Sequence, residues 1–336
     1  MTIAQVPFRM SFFGGGTDFP AFYNEHGGRV ISTSIDKYCY VSVRHLPPFF
    51  DYKNNITYSA RESTKTVEEI QHPAIREAMK FLDMHDLSLS YDADLPARSG
   101  LGSSSSFAVA LLMSFYALKG KYVDKRQLAK EAIYLERVLC AESGGEQDQI
   151  AAAYGGFNKI EFRNSDFQVN PVIISSERKR MLNDRLMMFF TGFSRYSFSI
   201  QEAHEKAIPK KQKELMEMLS LVDQAESILN RGDLDEFGRL LDHTWQLKRG
   251  LTSKVSTDEI DRIYTTAKVA GALGGKLLGA GGGGFLLLYV RPEHQPAVRK
   301  ALSHLKEIPF RFEDGGARIL YYAAEDYASL GVVHNE

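Results

Sequence analysis

The chain has 336 residues, 44% hydrophobic and 25% charged, with 41 Lys and Arg against 42 Asp and Glu and a net charge of -1. These proportions belong to a globular protein and exclude a disordered or fibrous one; without a basic excess, no nucleic-acid or anionic-membrane partner is expected, and Arg178-Lys179-Arg180 and Lys210-Lys211-Gln212-Lys213 read as solvated faces. Two cysteines, Cys39 and Cys140, make no disulfide framework, the start MTIAQVPFRM lacks the pattern of a signal peptide, and the apolar stretch from Leu277 to Val290 is shorter than the ~20 residues of a membrane helix, so a cytoplasmic protein is expected.

In chain order, the aromatic and β-branched run Tyr38 to Arg44 predicts a strand. Pro73 opens a helix with Ile75, Ala78, Met79 and Leu82 at helical spacing up to about Asp83, and the alternating run Leu87 to Tyr91 predicts a second strand. A glycine-serine loop, Asp94 to Ser106, then leads into an apolar helix from Phe107 to Leu118. Asp124 caps a helix from Lys125 to about Cys140 with the stripe Leu128, Ala132, Leu135 and Leu139; Glu136 falls on that stripe, where a carboxylate is costly unless paired or ligating a cation. After Gly144-Gly145 a short helix, Gln147 to Tyr154, carries Asp148 in its first turn and is stopped by Gly155-Gly156.

The second half opens with a buried strand, Leu186 to Phe190. Leu215, Met218, Leu219, Val222, Ala225, Ile228 and Leu229 mark an amphipathic helix, with Met216 and Met218 read as packing residues. Asp233 with Glu236 forms a capping-box start for a helix carrying Phe237, Leu240, Leu241 and Trp245. A helix from Asp258 to Ala272, a glycine-rich loop and a strand from Phe285 to Val290 follow. With no linker or repeat, a two-domain division is expected at 1–180 and 181–336.

Most of the 27 glycines fall in clusters: 14–16, 27–28, 100 and 102, 144–145 with 155–156, and 271–284. Such clusters mark backbone that takes positive φ or approaches a ligand closely. The loop at Gly100 opening a helix suits a phosphate, whose charge backbone N–H groups and the helix dipole favour, although it is not a Walker A string; a serine-rich turn is the plainer reading. Gly279 to Gly284 spells G-x-G-x-x-G but leads into a strand rather than a helix, which argues against a dinucleotide fold. Its glycines instead point to close approach to a ligand or to the other glycine loop. Glu136 and Asp148 are the two carboxylates most oddly placed, as a metal ligand and a base would be. No zinc-ligand spacing and no G-x-S-x-G string is present.

Three segments together resemble the GHMP kinases, the superfamily of galactokinase, homoserine kinase and mevalonate kinase: Pro7 to Asp18, Pro96 to Ser106, and Lys276 to Phe285. Within it the strings Phe8 to Asp18, Ile35-Asp36-Lys37-Tyr38, Gly144 to Gln149 and Lys276 to Phe285 are most similar to the bacterial D-glycero-D-manno-heptose 7-phosphate kinases. The resemblance implies an α+β fold of two domains with the active site in the interdomain cleft, and ATP-dependent phosphorylation of the anomeric hydroxyl of that sugar phosphate to the 1,7-bisphosphate, on the way to nucleotide-activated heptose. By the same likeness Gly100, Leu101, Gly102, Ser103, Ser104 and Ser105 would hold ATP, Ser104 and Glu136 would hold Mg²⁺, and Asp148 would act as base with Arg9 beside it. Gly14, Gly15, Gly16, Thr17, Asp18, Asp148, Gly281 and Gly282 would meet the sugar. Galactokinases carry Gly-Glu-His where this chain has Gly14-Gly15-Gly16, so a longer sugar phosphate is expected in the vacated space, with Arg29 or Lys37, or less readily Arg195, near its phosphate. A kinase of an unphosphorylated sugar such as fucose or galactose and a catalytically silent sensor stay open, as does the choice between monomer and homodimer.

Overall fold

Strand Thr2–Phe13 is buried along almost its whole length, and this explains why it lacks the polar-apolar alternation of a half-exposed strand. It pairs antiparallel with Gly28–His45, an 18-residue strand that extends Tyr38 to Arg44 well beyond the predicted bounds. That long strand forks, its first part pairing with Phe157–Arg163 and its second with Leu87–Ala93. The computed structural model describes residues 1–97, 100–192, 197–252 and 254–324, so Arg98 and Ser99 of the glycine-serine loop and Arg195 lie outside the described residues.

The described strands form two sheets. The nine-stranded sheet runs in the order 318–322, 2–13, 28–45, 87–93, 54–57, 61–64, with 157–163, 166–171 and 312–313 branching from it. The four-stranded sheet is antiparallel, in the order 306–307, 186–190, 285–290, 272–277. The chain passes from one sheet to the other between 171 and 186, then returns: Phe312–Glu313 pairs with the long strand and Arg318–Tyr322 with the first. The segment 181–336 therefore does not stay with one sheet, because the first strand offers an edge that the end of the chain covers.

Helix Ser103–Leu118 is buried on nearly all sides, as its uncharged sequence requires, and starts four residues earlier than the apolar run alone suggested. Asp124 caps Lys125–Tyr134 by accepting from Gln127 N, and the helix continues as a π turn, Leu135–Leu139, that carries Glu136. Asp233 accepts from Asp235 N, while Glu236 pairs with Arg239, so the reciprocal half of the capping box is not made. Met218 is buried but Met216 is 45% exposed, on the outer face of Gln212–Arg231. The predicted helix to Ala272 ends at Val269, and a strand missed in the sequence, Ala272–Leu277, follows; its glycines depress strand propensity, yet their lack of side chains lets Gly274 press against the backbone of Gly238. The late G-x-G-x-x-G string is thus the tip of a β-hairpin, with a strand on each side.

The two sheets are tied together by Phe237, whose ring meets Phe12 at 5.3 Å and Phe13 at 5.0 Å, both edge-on. Because all three are fully buried, Phe237→Ala leaves a cavity at this junction. It should lower unfolding stability by roughly 3–5 kcal/mol in a urea titration.

Candidate active site

Arg9 leaves the first strand pointing at the glycine loop and is 4% exposed. Its backbone N–H donates to Leu101 O at 3.1 Å and Nη1 donates to Gly100 O at 2.9 Å. Nε and Nη2 donate to the two oxygens of Asp148, each at 2.7 Å, a bidentate pair. One guanidinium thus fixes the start of helix Ser103–Leu118 relative to the first turn of Gln147–Tyr154.

Two recesses meet at that pair. An open cleft of about 1030 Å³ is lined by Gly100, Gly102, Ser103, Ser104, Ser105 and Glu136. A narrow cavity of about 90 Å³ is lined by Gly15, Gly16, Asp18, Gln147, Lys248 and Lys276. Arg9, Arg137, Asp148, Gln201, Gly279 and Ala280 line both. Only the larger has room for a nucleotide, and its loop of small residues at a helix N-terminus is where phosphates are best received.

Within the cleft, Glu136 is buried and accepts from Ser105 Oγ at 2.7 Å and from Gln149 Nε2, both on Oε2. Ser105 is therefore the serine tied to Glu136, while Ser104 is exposed in the cleft and Leu101 is buried in the core. Gly279 lies so close to Gly100 that a Cβ on it would stand 2.3 Å from the Gly100 Cα, which is the expected meeting of the two glycine loops. Gly281 lines the cleft and not the cavity, and Gly282 N donates to Val255 O at 2.9 Å, so the hairpin tip is braced against the loop before Asp258–Val269 and its two glycines are not brought to the cavity.

In the cavity, Asp18 accepts from Gly16 N at 2.8 Å and Gln147 Nε2 at 2.9 Å. Burial, with a smaller contribution from the Asp148 charge, outweighs these bonds and pushes its carboxyl up from the ordinary range. Gly145 must be glycine, because a Cβ there would stand 2.0 Å from Asp18 Oδ2. Around Gly15, by contrast, the nearest atom to an added Cβ is Gln147 Nε2 at 3.5 Å, so there is space beside it. Gly14 and Thr17 do not line the cavity: Gly14 packs on Arg29 O, and Thr17 Oγ1 donates to Gly14 O at 2.8 Å, holding the turn. Arg29 is committed to Asp223 at 2.6 Å and Lys37 to Asp36 at 3.2 Å; neither lines the cavity.

Apart from Arg9, the cations that line it, Arg137, Lys211, Lys248 and Lys276, were not predicted as site residues. Lys248 and Lys276 are 8% and 3% exposed, and Arg137 is held by the carbonyls of Glu142, Ser143 and Gly145. Lys248 had a signal: with Leu241, Thr244 and Trp245 it falls on the buried face of helix Leu234–Arg249. Burial and the Arg9 charge push its ammonium down to about 8, against the opposing pull of Asp148 and Asp18.

A cleft with room for a nucleotide, joined to a smaller cavity at a carboxylate and a guanidinium, is an arrangement that suits phosphoryl transfer to a hydroxyl group. The chain matches the GHMP kinases N terminal domain over residues 65–156 and the GHMP kinases C terminal description over 221–307. It is 30% identical to a D-glycero-alpha-D-manno-heptose 7-phosphate kinase of Campylobacter jejuni over 327 residues, 92% of this chain and 96% of that protein. It is 25% identical to a bifunctional fucokinase/GDP-fucose pyrophosphorylase of Arabidopsis thaliana over 324 residues, 86% of this chain and 30% of that longer protein. A D-glycero-D-manno-heptose 1-phosphate kinase from Bacteroides thetaiotaomicron has the same fold, with a TM-score of 0.79 over 96% of this chain and 100% of that one at 24% identity. The chain belongs to the GHMP kinases, with the α+β fold of that family, and within it is a sugar kinase; ATP is the co-substrate that the family implies.

The depressed Lys248 ammonium has a consequence for stability. Between about pH 8 and the ordinary lysine range the unfolded chain holds this proton and the folded chain does not, so wild-type stability gains as pH rises through that window. Lys248→Met should therefore be more stable than wild type at about pH 7, with an advantage that narrows above about pH 8, as read from urea midpoints across the window.

Proposed function

We propose that the protein transfers the γ-phosphoryl group of ATP to the anomeric hydroxyl of D-glycero-D-manno-heptose 7-phosphate, giving the 1,7-bisphosphate, in the cytoplasm. The observation that carries this reading is the Arg9–Asp148 pair where cleft and cavity meet. We read residues 1–180 as the half that carries the ATP loop and the base, and 181–336 as the half that brings the late glycine loop.

Gly100 to Ser105 hold the phosphates, whose negative charge the helix N-terminus favours. Asp148 takes the proton of the sugar hydroxyl; its two oxygens retain acceptor capacity beyond the two bonds from Arg9. The hydroxyl oxygen then bonds to the γ-phosphorus as the bond to the departing ADP breaks, and Arg9 offsets the negative charge that spreads over the transferring group. Asp18 and Gln147, which line the same cavity, orient the sugar.

Glu136, a buried carboxylate facing the phosphate loop beside the exposed hydroxyl of Ser104, fits a Mg²⁺ ion, which takes one or two carboxylates and completes its shell with phosphate and water oxygens. Glu136 with Ser104 or Ser105 would hold it, and bound there it would neutralise phosphate charge. The assembly of Arg9, Glu136 and Asp148 argues against a silent sensor.

ADP release with Mg-ATP against heptose 7-phosphate, fucose, galactose, mannose and mevalonate tests the reading. Heptose 7-phosphate should give the highest kcat/KM, and Asp148→Asn should lower kcat by roughly 10²–10⁴. Turnover undiminished in the variant would remove the base assignment; preference for fucose or galactose would move the substrate to an unphosphorylated sugar.

A further inference from the structure

The cavity holds more positive charge than its own carboxylates neutralise. Among the described residues five cations line it, Arg9, Arg137, Lys211, Lys248 and Lys276, against the carboxylates Asp18 and Asp148. Asp148 is spent on Arg9, Asp18 on the N–H groups of Gly16 and Gln147, and Lys211 is paired with Glu214 at 2.7 Å. Arg137, which lines both recesses, is held by carbonyls, and so are Lys248 and Lys276, which line the cavity and not the cleft. Lys276 Nζ donates to Phe12 O at 2.8 Å, and Lys248 Nζ to Leu277 O at 3.3 Å and to Gly279 O. Among the described residues no carboxylate lies within ion-pair distance of either, so both ammonium groups are buried against carbonyl oxygens alone.

A buried ammonium without a counter-charge is costly, and two close together more so. Burial comes first in holding both below the ordinary ammonium range, and each also feels the charge of Arg9. Such a pair is stabilised by an anion entering between them. The ATP phosphates are not that anion, because Lys248 and Lys276 line the narrow cavity and are absent from the lining of the open cleft.

We propose that Lys248 and Lys276 form the subsite for a phosphate group carried by the acceptor itself. The proposal rests on the reading of the narrow cavity as the sugar site, and it puts the phosphate in place of the Arg29 and Lys37 contacts that the structure commits elsewhere. It also explains why the cavity tolerates a destabilising pair: the ligand supplies the missing charge, as active sites trade stability for function.

Titration calorimetry of heptose 7-phosphate and of the same heptose without its phosphate, on wild type, Lys248→Met and Lys276→Met, tests it. Wild type should bind the phosphorylated sugar at least about tenfold more tightly, the value of one or two charge-assisted hydrogen bonds, and each variant should lose most of that ratio with the KM for ATP unchanged. The ligand-free melting temperature of both variants should rise, a readout that a merely structural lysine would move the other way. On the wild-type protein, inorganic phosphate should raise the melting temperature and compete with heptose 7-phosphate but not with ATP. A wild-type preference that survives in both variants, or phosphate that competes with ATP alone, overturns the lysine assignment and leaves the kinase reading standing. Equal binding of the two sugars by wild type would overturn both the subsite and the phosphorylated substrate, and tight binding of mevalonate by the same lysines would replace the phosphate with a carboxylate.

Discussion

Arg9 makes four contacts that join three separated parts of the chain: its guanidinium to both oxygens of Asp148 and to Gly100 O, and its backbone to Leu101 O. A bidentate pair has one good geometry, so the distance between the loop at Gly100 and Asp148 is set by a single planar group rooted in a buried strand. Burying such a pair costs desolvation that its own attraction only partly returns, and its worth lies in position rather than stability. The surroundings are cut to fit it: Gly102, at φ +73°, leaves its missing Cβ 3.3 Å from Arg9 Cγ, where a side chain would both strain the turn and push the guanidinium.

From that fixed point the two recesses take opposite electrostatic characters. The cleft relies on backbone N–H groups, hydroxyls and one buried carboxylate, which suits phosphates that arrive with a cation. The cavity relies on lysines held by carbonyls, which suits an anion that arrives without one. A chain of net charge -1 can do this because buried charges act over a few ångströms, where the local dielectric is low, while the surface balance governs only long-range attraction.

Much of this was legible in the sequence where a residue broke a local rule. Glu136 on an apolar stripe, the glycines at 15–16, 100 and 102, 145 and 279, and Asp148 beside Gly144-Gly145 line the two recesses, whereas the glycines at 27–28 and 155–156 lie elsewhere. Strand Ala272–Leu277 was hidden because its glycines serve close backbone approach, which propensity reads as loop. The return of Phe312–Glu313 and Arg318–Tyr322 to the first sheet depends on an edge left open some 300 residues earlier in the chain, which no local pattern reports. Lys248 broke the same rule as Glu136, a charge on a buried helical face, but a lysine in the last turn is also what the helix dipole favours, so the signal is ambiguous. Lys276 carried no such signal, since its neighbours Gly274 and Gly275 give a strand no periodicity to depart from.

In the proposed reaction a sugar hydroxyl and a γ-phosphoryl group meet beside Asp148. The most direct test is the identity of the product: ³¹P and proton NMR of heptose 7-phosphate incubated with Mg-ATP and the wild-type protein. A second phosphorus resonance coupled to the anomeric proton, rising in step with ADP, is the predicted result. Phosphorylation at any other hydroxyl, or ADP and inorganic phosphate with the sugar unchanged, would contradict it.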